Sequence, residues 1–413
     1  MTTAAARFHY GWVLVAAFLL LQMVAIGTIQ YSYSIIALPF QEAFDASRVT
    51  MMLGITVMPL ASALMSPFLG RAIDRYSLRA FTLLGALLLP AGFLLLSTIS
   101  AMWQVPLIYA LCMGYATLML GPLGASTLLS RWFRQRLGFA MGVAAIGTSV
   151  GGFVFPPLIS WLMEQHGWRE GLRWLALAVA ALTVPSALLL VNRPADRQLE
   201  PYGASASDGA DDGAAPPAPA VFRDRNFWLL AAVLGILFGA YGAILSNLAP
   251  FAVESGVAAQ RAALFIALIA VSGIVGKLGF GFVADQVDLR AALGVAVALV
   301  IAGLGCYLAG SPALIAVGCV SIGLAAGGML PVWGAMLAWL FGVQHYGRVM
   351  GMMNLCIIPT TVLGPFVTGL LRDSTGSYFL PFALFAGLLC AALLCLPGIR
   401  RPAAAAAPSA AGA

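Results

Sequence analysis

The 413-residue chain is 62% hydrophobic and only 9% charged, whereas an ordinary soluble domain has roughly 25% charged residues. So few charges exclude a water-soluble fold. The formal net charge of +6 comes from basic residues scattered between long apolar runs, which excludes a nucleic-acid-binding domain. These properties predict an all-α membrane protein whose surroundings are the lipid bilayer.

Twelve apolar segments are long enough to cross the hydrocarbon layer, which takes about 20 residues of helix. The first six predicted spans are residues 12–36, 50–70, 80–99, 104–129, 138–162 and 174–191. The second six are residues 227–250, 262–283, 291–309, 314–338, 349–371 and 379–397.

The segment between the two sets is rich in Pro, Gly, Ala, Ser and Asp, a composition that predicts a flexible linker. The expected domains are an N-terminal six-helix bundle, a flexible cytoplasmic linker, a C-terminal six-helix bundle and a disordered cytoplasmic tail, at residues 1–191, 192–226, 227–399 and 400–413.

Arginines are concentrated in the loops that share a membrane face with both termini. Because cytoplasmic loops carry the excess of basic residues, this bias predicts that both termini are cytoplasmic. The expected location is the bacterial inner (plasma) membrane.

An internal duplication runs through the chain. Gly70, Asp74 and Arg79 recur 211 positions later as Gly281, Asp285 and Arg290. A run of matches at a nearly constant offset indicates two homologous halves. Two parallel six-helix halves place a cavity at their interface, and rocking one half against the other gives alternating access.

The loop GRAIDRYSLR at residues 70–79 resembles the signature loop of the major facilitator superfamily, and GFVADQVDLR at residues 281–290 resembles its second copy. Ser77 stands where the family prefers glycine, and Gln286 replaces a basic residue. A carboxylate at a helix end can accept N–H groups from a neighbouring helix N-terminus and pair with arginine. The residues of the predicted cytoplasmic gate are Gly70, Asp74, Arg75, Arg79, Gly281, Asp285 and Arg290. The alternative is that the arginines among them only anchor the chain at the cytoplasmic face of the membrane.

Lys277 is the only lysine and lies inside a predicted span, eight residues before Asp285, or about 12 Å along the helix. An intramembrane cation predicts a functional site. Because the acidic residues lie in loops or at span ends, an incoming anion is the expected partner. The alternative is a lysine satisfied by helix carbonyls or water.

The stretches YGWVLVAAFLLLQMVAIGTIQYSYSIIALPF and GIVGKLGFGFVAD resemble the monocarboxylate-porter and oxalate/formate-antiporter branch of that superfamily. The resemblance implies a substrate carboxylate on Lys277, where members commonly carry arginine. The basic residue that oxalate exchangers carry in the eleventh helix is missing here, where Asn354 is the conspicuous polar group, so a monocarboxylate fits better than a dicarboxylate. Other polar or aromatic candidates for substrate binding lie inside spans, where interhelical bonding is the alternative role: Gln30, Tyr31, Tyr33, Tyr115, Asn247, Asn354 and Trp333.

The expected function is secondary active transport of a small organic anion by a monomer without cofactor or metal, with protons as a candidate coupling partner. Efflux of a hydrophobic compound is the alternative within transport, although the fourth span lacks the arginine typical of proton antiporters. A nutrient sensor derived from a transporter is the alternative from another class. The sequence has no intramembrane nucleophile or metal cluster that would indicate an enzyme. It also has no P-loop that would indicate an ATP-driven pump.

Overall fold

The computed structural model describes residues 9–45, 48–204, 221–257, 259–284, 286–342 and 346–400. The N-terminal half contains helices α1 (Gly11–Ile26), α2 (Tyr33–Ala43), α3 (Arg48–Arg75), α4 (Leu78–Ser97), α5 (Gln104–Ile108), α6 (Gly114–Leu120), α7 (Pro122–Trp132) and α8 (Leu137–Leu188). The C-terminal half contains α9 (Arg225–Glu254), α10 (Ala259–Ala284), α11 (Leu289–Leu308), α12 (Pro312–Phe341), α13 (Tyr346–Thr375) and α14 (Phe379–Cys395).

Eleven helical stretches in the described part of the chain are long and apolar enough to cross a membrane. One of them, α8, has 52 residues and would extend about 78 Å as a straight helix, more than twice the hydrocarbon thickness. It bends at Gly167, whose φ of 72° and ψ of 164° are not helical. Divided there, α8 supplies two crossings, and the predicted all-helical, twelve-span fold class is confirmed.

Two crossings of the N-terminal half contain a turn of π-helix. Gly27–Tyr31 joins α1 to α2, and Tyr109–Met113 joins α5 to α6. A π turn widens the helix locally and bends its path. The first and fourth crossings are therefore irregular at positions where the apolar pattern of the sequence predicts continuous helices.

Glycines allow the helices of each half to pack closely. A Cβ added at Gly147 or Gly151 of α8 would meet the carbonyl oxygens of Leu19 or Met23 in α1. Within the C-terminal half α10 packs on α12 and α13 packs on α9. In a membrane such small residues let backbones approach, so that dispersion contacts hold the bundle.

We call the membrane face that carries the chain ends at Gly11 and Arg400, and the connection between the halves, the linker face. The sequence predicts flexibility over residues 192–226, but residues up to 204 pack against the N-terminal half. The guanidinium of Arg197 lies 3.7 Å from the ring centroid of Tyr10, and the Tyr202 N–H donates to the Trp132 carbonyl at 2.7 Å. These contacts make the start of the predicted linker part of the bundle; the predicted tail from residue 401 lies outside the described residues.

Candidate functional site

The two halves meet mainly through two helix pairs, α3 with α13 and α8 with α10, and α12 also contacts α8. A Cβ at Gly70 in α3 would meet the Gly347 carbonyl oxygen at the start of α13. A Cβ at Gly281 in α10 would lie 2.8 Å from the carbonyl oxygen of Gly138 at the start of α8. All four residues lie near the linker-face ends of their helices, so the halves are in backbone contact on this face.

Asp74 joins the halves on the linker face. Its carboxylate accepts the backbone N–H of Gly347 on Oδ1 at 3.0 Å and that of Arg348 on Oδ2 at 2.7 Å. These are free N–H groups in the first turn of α13, where the helix dipole favours an anion. Arg131 of α7 lies 3.8 Å from the same carboxylate and also donates to the Ile73 carbonyl at 2.8 Å. We call this arrangement the Asp74 latch.

The other predicted gate residues lie around this latch rather than in it. Arg75 is exposed and lies over the ring of Tyr76, and the backbone N–H of Arg79 donates to Asn192 at 2.9 Å. Arg290 pairs with Asp288; its hydrogen bond lowers the pKa of that carboxyl group. Asp285 lies outside the described residues. The cation beside Asp74 is therefore Arg131, which sequence reasoning did not single out.

Lys277 is 8% exposed and crosses from α10 to the other half. Its Nζ donates to the hydroxyl of Thr148 at 2.7 Å and to that of Ser149 at 2.6 Å, both in α8. No carboxylate forms a salt bridge with Lys277 in the described part of the chain. The partners of the ammonium group are thus two neutral side-chain hydroxyls. The sequence analysis expected an anion, or else helix carbonyls or water.

Asn354 of α13 forms a second polar bridge between the halves. Its Nδ2 donates to the hydroxyl of Ser66 in α3 at 3.3 Å. Ser66 precedes Lys277 by 211 positions, the offset of the internal duplication. The lysine and this serine thus occupy equivalent places in the two halves, and each is bonded to the opposite half.

Three predicted binding residues form hydrogen bonds or packing contacts only within their own half of the protein. Tyr33 is 4% exposed and lies edge-on to Tyr109 at 5.0 Å. The hydroxyl of Tyr115 donates to the Phe81 carbonyl at 3.2 Å. Asn247 donates to the Ala243 carbonyl of its own helix at 2.9 Å. These contacts fit interhelical or intrahelical bonding, and a substrate role for the three residues stays a prediction.

Three predicted binding residues remain, and they lie in different environments: Gln30, Tyr31 and Trp333. Gln30 is exposed and Tyr31 is 47% exposed in the π turn after α1. Trp333 of α12 is 3% exposed and packs edge-on against Phe238. Its indole N–H is buried and has no hydrogen-bond partner within the described chain.

Sequence reasoning missed the hydroxyl pair that holds Lys277. Thr148 and Ser149 are adjacent polar residues in a long apolar segment between Gly147 and Gly151. A hydroxyl pair inside an apolar span is a weak signal, because such side chains usually bond to their own helix. Thr148 does so as well, donating to the Ala145 carbonyl at 2.9 Å.

Two bundles of membrane-spanning helices, joined by a linker and bridged by a buried cation, define a polytopic membrane transporter rather than an enzyme. A sequence model of the Major Facilitator Superfamily matches residues 18–308. The chain therefore belongs to the Major Facilitator Superfamily, and within it resembles the monocarboxylate-transporter branch.

Known transporters are similar to this protein over most of its length. Monocarboxylate transporter 11 of Homo sapiens is 28% identical over 397 residues, covering 92% of this chain and 81% of the relative. The Fujikurins efflux protein of Gibberella fujikuroi is 27% identical over 338 residues, covering 79% and 68%. A crystal structure of a bacterial homologue of the iron transporter ferroportin in an outward-facing state superposes with a TM-score of 0.73, at 15% identity, covering 95% and 99%.

Proposed function

We propose that this transporter moves a small organic anion, a monocarboxylate, by alternating access. The observation that carries the proposal is the Lys277 ammonium group, which is 8% exposed and bonded only to two hydroxyls among the described residues. Lys277 is the residue on which the substrate carboxylate would bind.

A buried cation held by neutral groups is poorly compensated, because an ion removed from water needs an opposite charge or a full set of hydrogen bonds. Two hydroxyls use two of the three ammonium N–H groups. A carboxylate arriving at this place supplies the missing negative charge. The name of the human relative, monocarboxylate transporter 11, agrees with this choice of anion.

The same bonds connect substrate binding to the movement of the two halves. The Lys277 bonds and the Asp74 latch both cross between the halves, so both break when the linker face opens. A carboxylate that takes the ammonium group away from Thr148 and Ser149 weakens the closed linker face. A ligand shifts a conformational equilibrium only through such a difference in contacts between two states.

We further propose that the linker face is cytoplasmic and that the transporter lies in an inner (plasma) membrane. The arginine excess on this face supports that orientation. The latch then closes the cytoplasmic side in the conformer described here.

The test is uptake of a panel of labelled monocarboxylates into proteoliposomes containing the full chain, with and without a pH gradient. Lys277→Ala is expected to lose anion-dependent thermal stabilisation and transport, and Lys277→Arg to retain part of both with altered selectivity. Arg173→Ala, which removes one exposed positive charge paired with Glu170, is the matched control. Wild-type transport of the acid by Lys277→Ala would refute the carboxylate assignment.

Efflux of a hydrophobic compound is the second candidate, because one relative is an efflux protein for fujikurins. In that case Lys277 would only set the electrostatics of the cavity. Transport of an uncharged apolar compound by both the wild type and Lys277→Ala, without uptake of any monocarboxylate, would favour this alternative.

A further inference from the structure

The internal duplication is broken at one corner of the linker face. Arg79 at the start of α4 and Arg290 at the start of α11 are equivalent, at the offset of 211 positions. The carboxylate of Asp288 accepts the Nε–H of Arg290 on both oxygens at 3.1 Å. Its equivalent in the N-terminal half is Ser77, whose hydroxyl caps α4 by accepting the N–H of Ala80 at 3.2 Å but carries no charge. Among the described residues, Arg79 therefore lacks the carboxylate that neutralises Arg290.

Two more arginines of this corner have no basic counterpart in the C-terminal half. The residues equivalent to Arg71 and Arg75 are Phe282 and Gln286. We call Arg71, Arg75 and Arg79 the arginine corner; all three are exposed, and within the described ranges none of them forms a salt bridge. The bias of arginine toward one membrane face accounts for a basic face, but not for a charge difference between two homologous corners of that face. The arginine corner therefore favours a bound anion.

Two exposed apolar residues of α3, Leu64 and Phe68, continue from the arginine corner toward the membrane interior, and we call them the apolar stripe. They are 66% and 71% exposed, and with the two arginines of α3 they are spaced by four, three and four residues, which places all of them on one helix face. Ser66 lies on the opposite side of the helix, where it is bonded to Asn354 of α13. The apolar stripe therefore faces the surrounding membrane.

The length of this helix face matches one lipid leaflet. From Leu64 to Arg75 the helix rises by about 16 Å, which is about half the thickness of the hydrocarbon layer. Tyr76 is 61% exposed, and the guanidinium carbon of Arg75 lies 5.6 Å from the centroid of its ring. Tyrosine is enriched at the level of the lipid headgroups. The basic end of the face is thus at the headgroup level, and its apolar end is at the level of the acyl chains.

We propose that the arginine corner and the apolar stripe bind one anionic phospholipid from the leaflet on the linker face. Its phosphate accepts hydrogen bonds from the guanidinium groups, whose planar fork suits phosphate oxygens, and an acyl chain lies along the apolar stripe. A soluble anion would leave the stripe unused, and a zwitterionic headgroup would bring an amine against three arginines. The site is separate from Lys277 and does not depend on the transported substrate.

The test measures how much phosphatidylglycerol stays on the full chain. The protein is reconstituted in nanodiscs of equal amounts of phosphatidylglycerol and phosphatidylcholine, and native mass spectrometry counts the lipids that it retains. Removing the arginine corner is expected to weaken retention of phosphatidylglycerol about fivefold for each arginine and to leave phosphatidylcholine unchanged, in the triple variant Arg71→Gln, Arg75→Gln and Arg79→Gln. The matched control removes three other exposed arginines of the linker face and should retain lipid like the wild type: Arg134→Gln, Arg136→Gln and Arg223→Gln.

Ser77→Asp tests the same site while keeping every arginine. It transfers to the N-terminal half the acid that neutralises Arg290, and it should still cap α4, since Asp288 caps α11 by accepting the N–H of Arg290 at 2.9 Å. Retention of phosphatidylglycerol should weaken about fivefold, the effect of one neutralised arginine. This variant decides the matter if the triple variant fails to insert into the membrane.

Equal retention of phosphatidylglycerol by the wild type and Ser77→Asp, or by the wild type and the triple variant, would overturn the inference. The same loss in the control as in the triple variant would also overturn it, because the lipid would then follow the overall charge of the face. Glycerol phosphate carries the charge of the headgroup without acyl chains. If it displaces phosphatidylglycerol from the wild type, the site belongs to a soluble anion and the inference falls.

Discussion

The carbonyl oxygen of Gly347 lies only 2.2 Å from the position that the Cβ of any other residue at position 70 would take. Gly281 has the same relationship with the carbonyl oxygen of Gly138. The internal duplication relates the two contacts, since Gly281 follows Gly70 by 211 positions and Gly347 follows Gly138 by 209. The closed linker face is thus made from two copies of one helix contact.

Alanine at either glycine is expected to open the linker face. Gly70→Ala and Gly281→Ala each place a methyl group against a carbonyl oxygen that exists there only while the halves touch. In a background without the native cysteines, Met350→Cys should react at least about fivefold faster with a thiol reagent applied from the linker face, as expected for about 1 kcal/mol. Gly387→Ala, where a Cβ meets no atom within 4 Å, is the control. Equal rates in all variants would contradict the steric explanation.

Asp74→Asn should weaken the latch without unfolding the protein. The amide keeps one acceptor oxygen for the N–H groups of Gly347 and Arg348 but loses the charge that strengthens both bonds. A loss of about 1–2 kcal/mol raises the ratio of open to closed linker face about five- to thirtyfold. Expression should stay near normal, while transport slows and thiol labelling of Met350→Cys increases.

The control for the latch is Asp373→Asn, which removes a carboxylate whose side chain is 78% exposed at the other end of α13. It should leave labelling and transport unchanged. Should Asp74→Asn behave like this control, the latch does not hold the conformer closed.

Replacing the hydroxyl pair tests whether it competes with the substrate for Lys277. Thr148→Val combined with Ser149→Ala leaves the ammonium group without its two partners in the closed conformer. The apo protein should melt at a lower temperature, and the anion should bind more tightly because it displaces nothing. Thr375→Val, at the exposed end of α13, is the matched control. Weaker anion binding in the double variant would instead make the hydroxyls substrate ligands.

The orientation of the chain is tested by reporter fusions at residue 205 and after residue 405. The arginine-rich loops belong to the face that carries both positions, so both reporters should be active in the cytoplasm. A fusion at Ser311, in the loop between α11 and α12, should read the opposite compartment. A periplasmic signal at 205 or after 405 would reverse the orientation or change the number of spans.

Much of the fold is predictable because a helix that crosses the membrane needs about 20 consecutive apolar residues. Few other structural elements contain so long an apolar segment. The predicted span at residues 80–99 corresponds to α4, Leu78–Ser97. The irregular positions are harder to foresee. The π turn at Gly27–Tyr31 leaves the apolar pattern intact, and only the φ of Gly167 separates two crossings that are otherwise continuously helical.

The site is only partly predictable for a different physical reason. The sequence singles out Lys277 because charged residues inside membrane spans are rare, and Asp74 because it lies in a loop that the second half repeats. Their partners depend on how each helix is rotated about its axis, which packing decides. Arg131 approaches Asp74 from α7, and Thr148 meets Lys277 from 129 residues away. No local pattern encodes those distances.

The single lysine also gives the protein a built-in chemical reporter. Lys277 is the only side-chain amine in the chain, and in this conformer it is 8% exposed and engaged by two hydroxyls. An amine-selective reagent therefore has one side-chain target, which is shielded while the linker face is closed. The extent of acylation, read by mass spectrometry on the unmodified wild-type protein, would follow the conformational cycle without any introduced label.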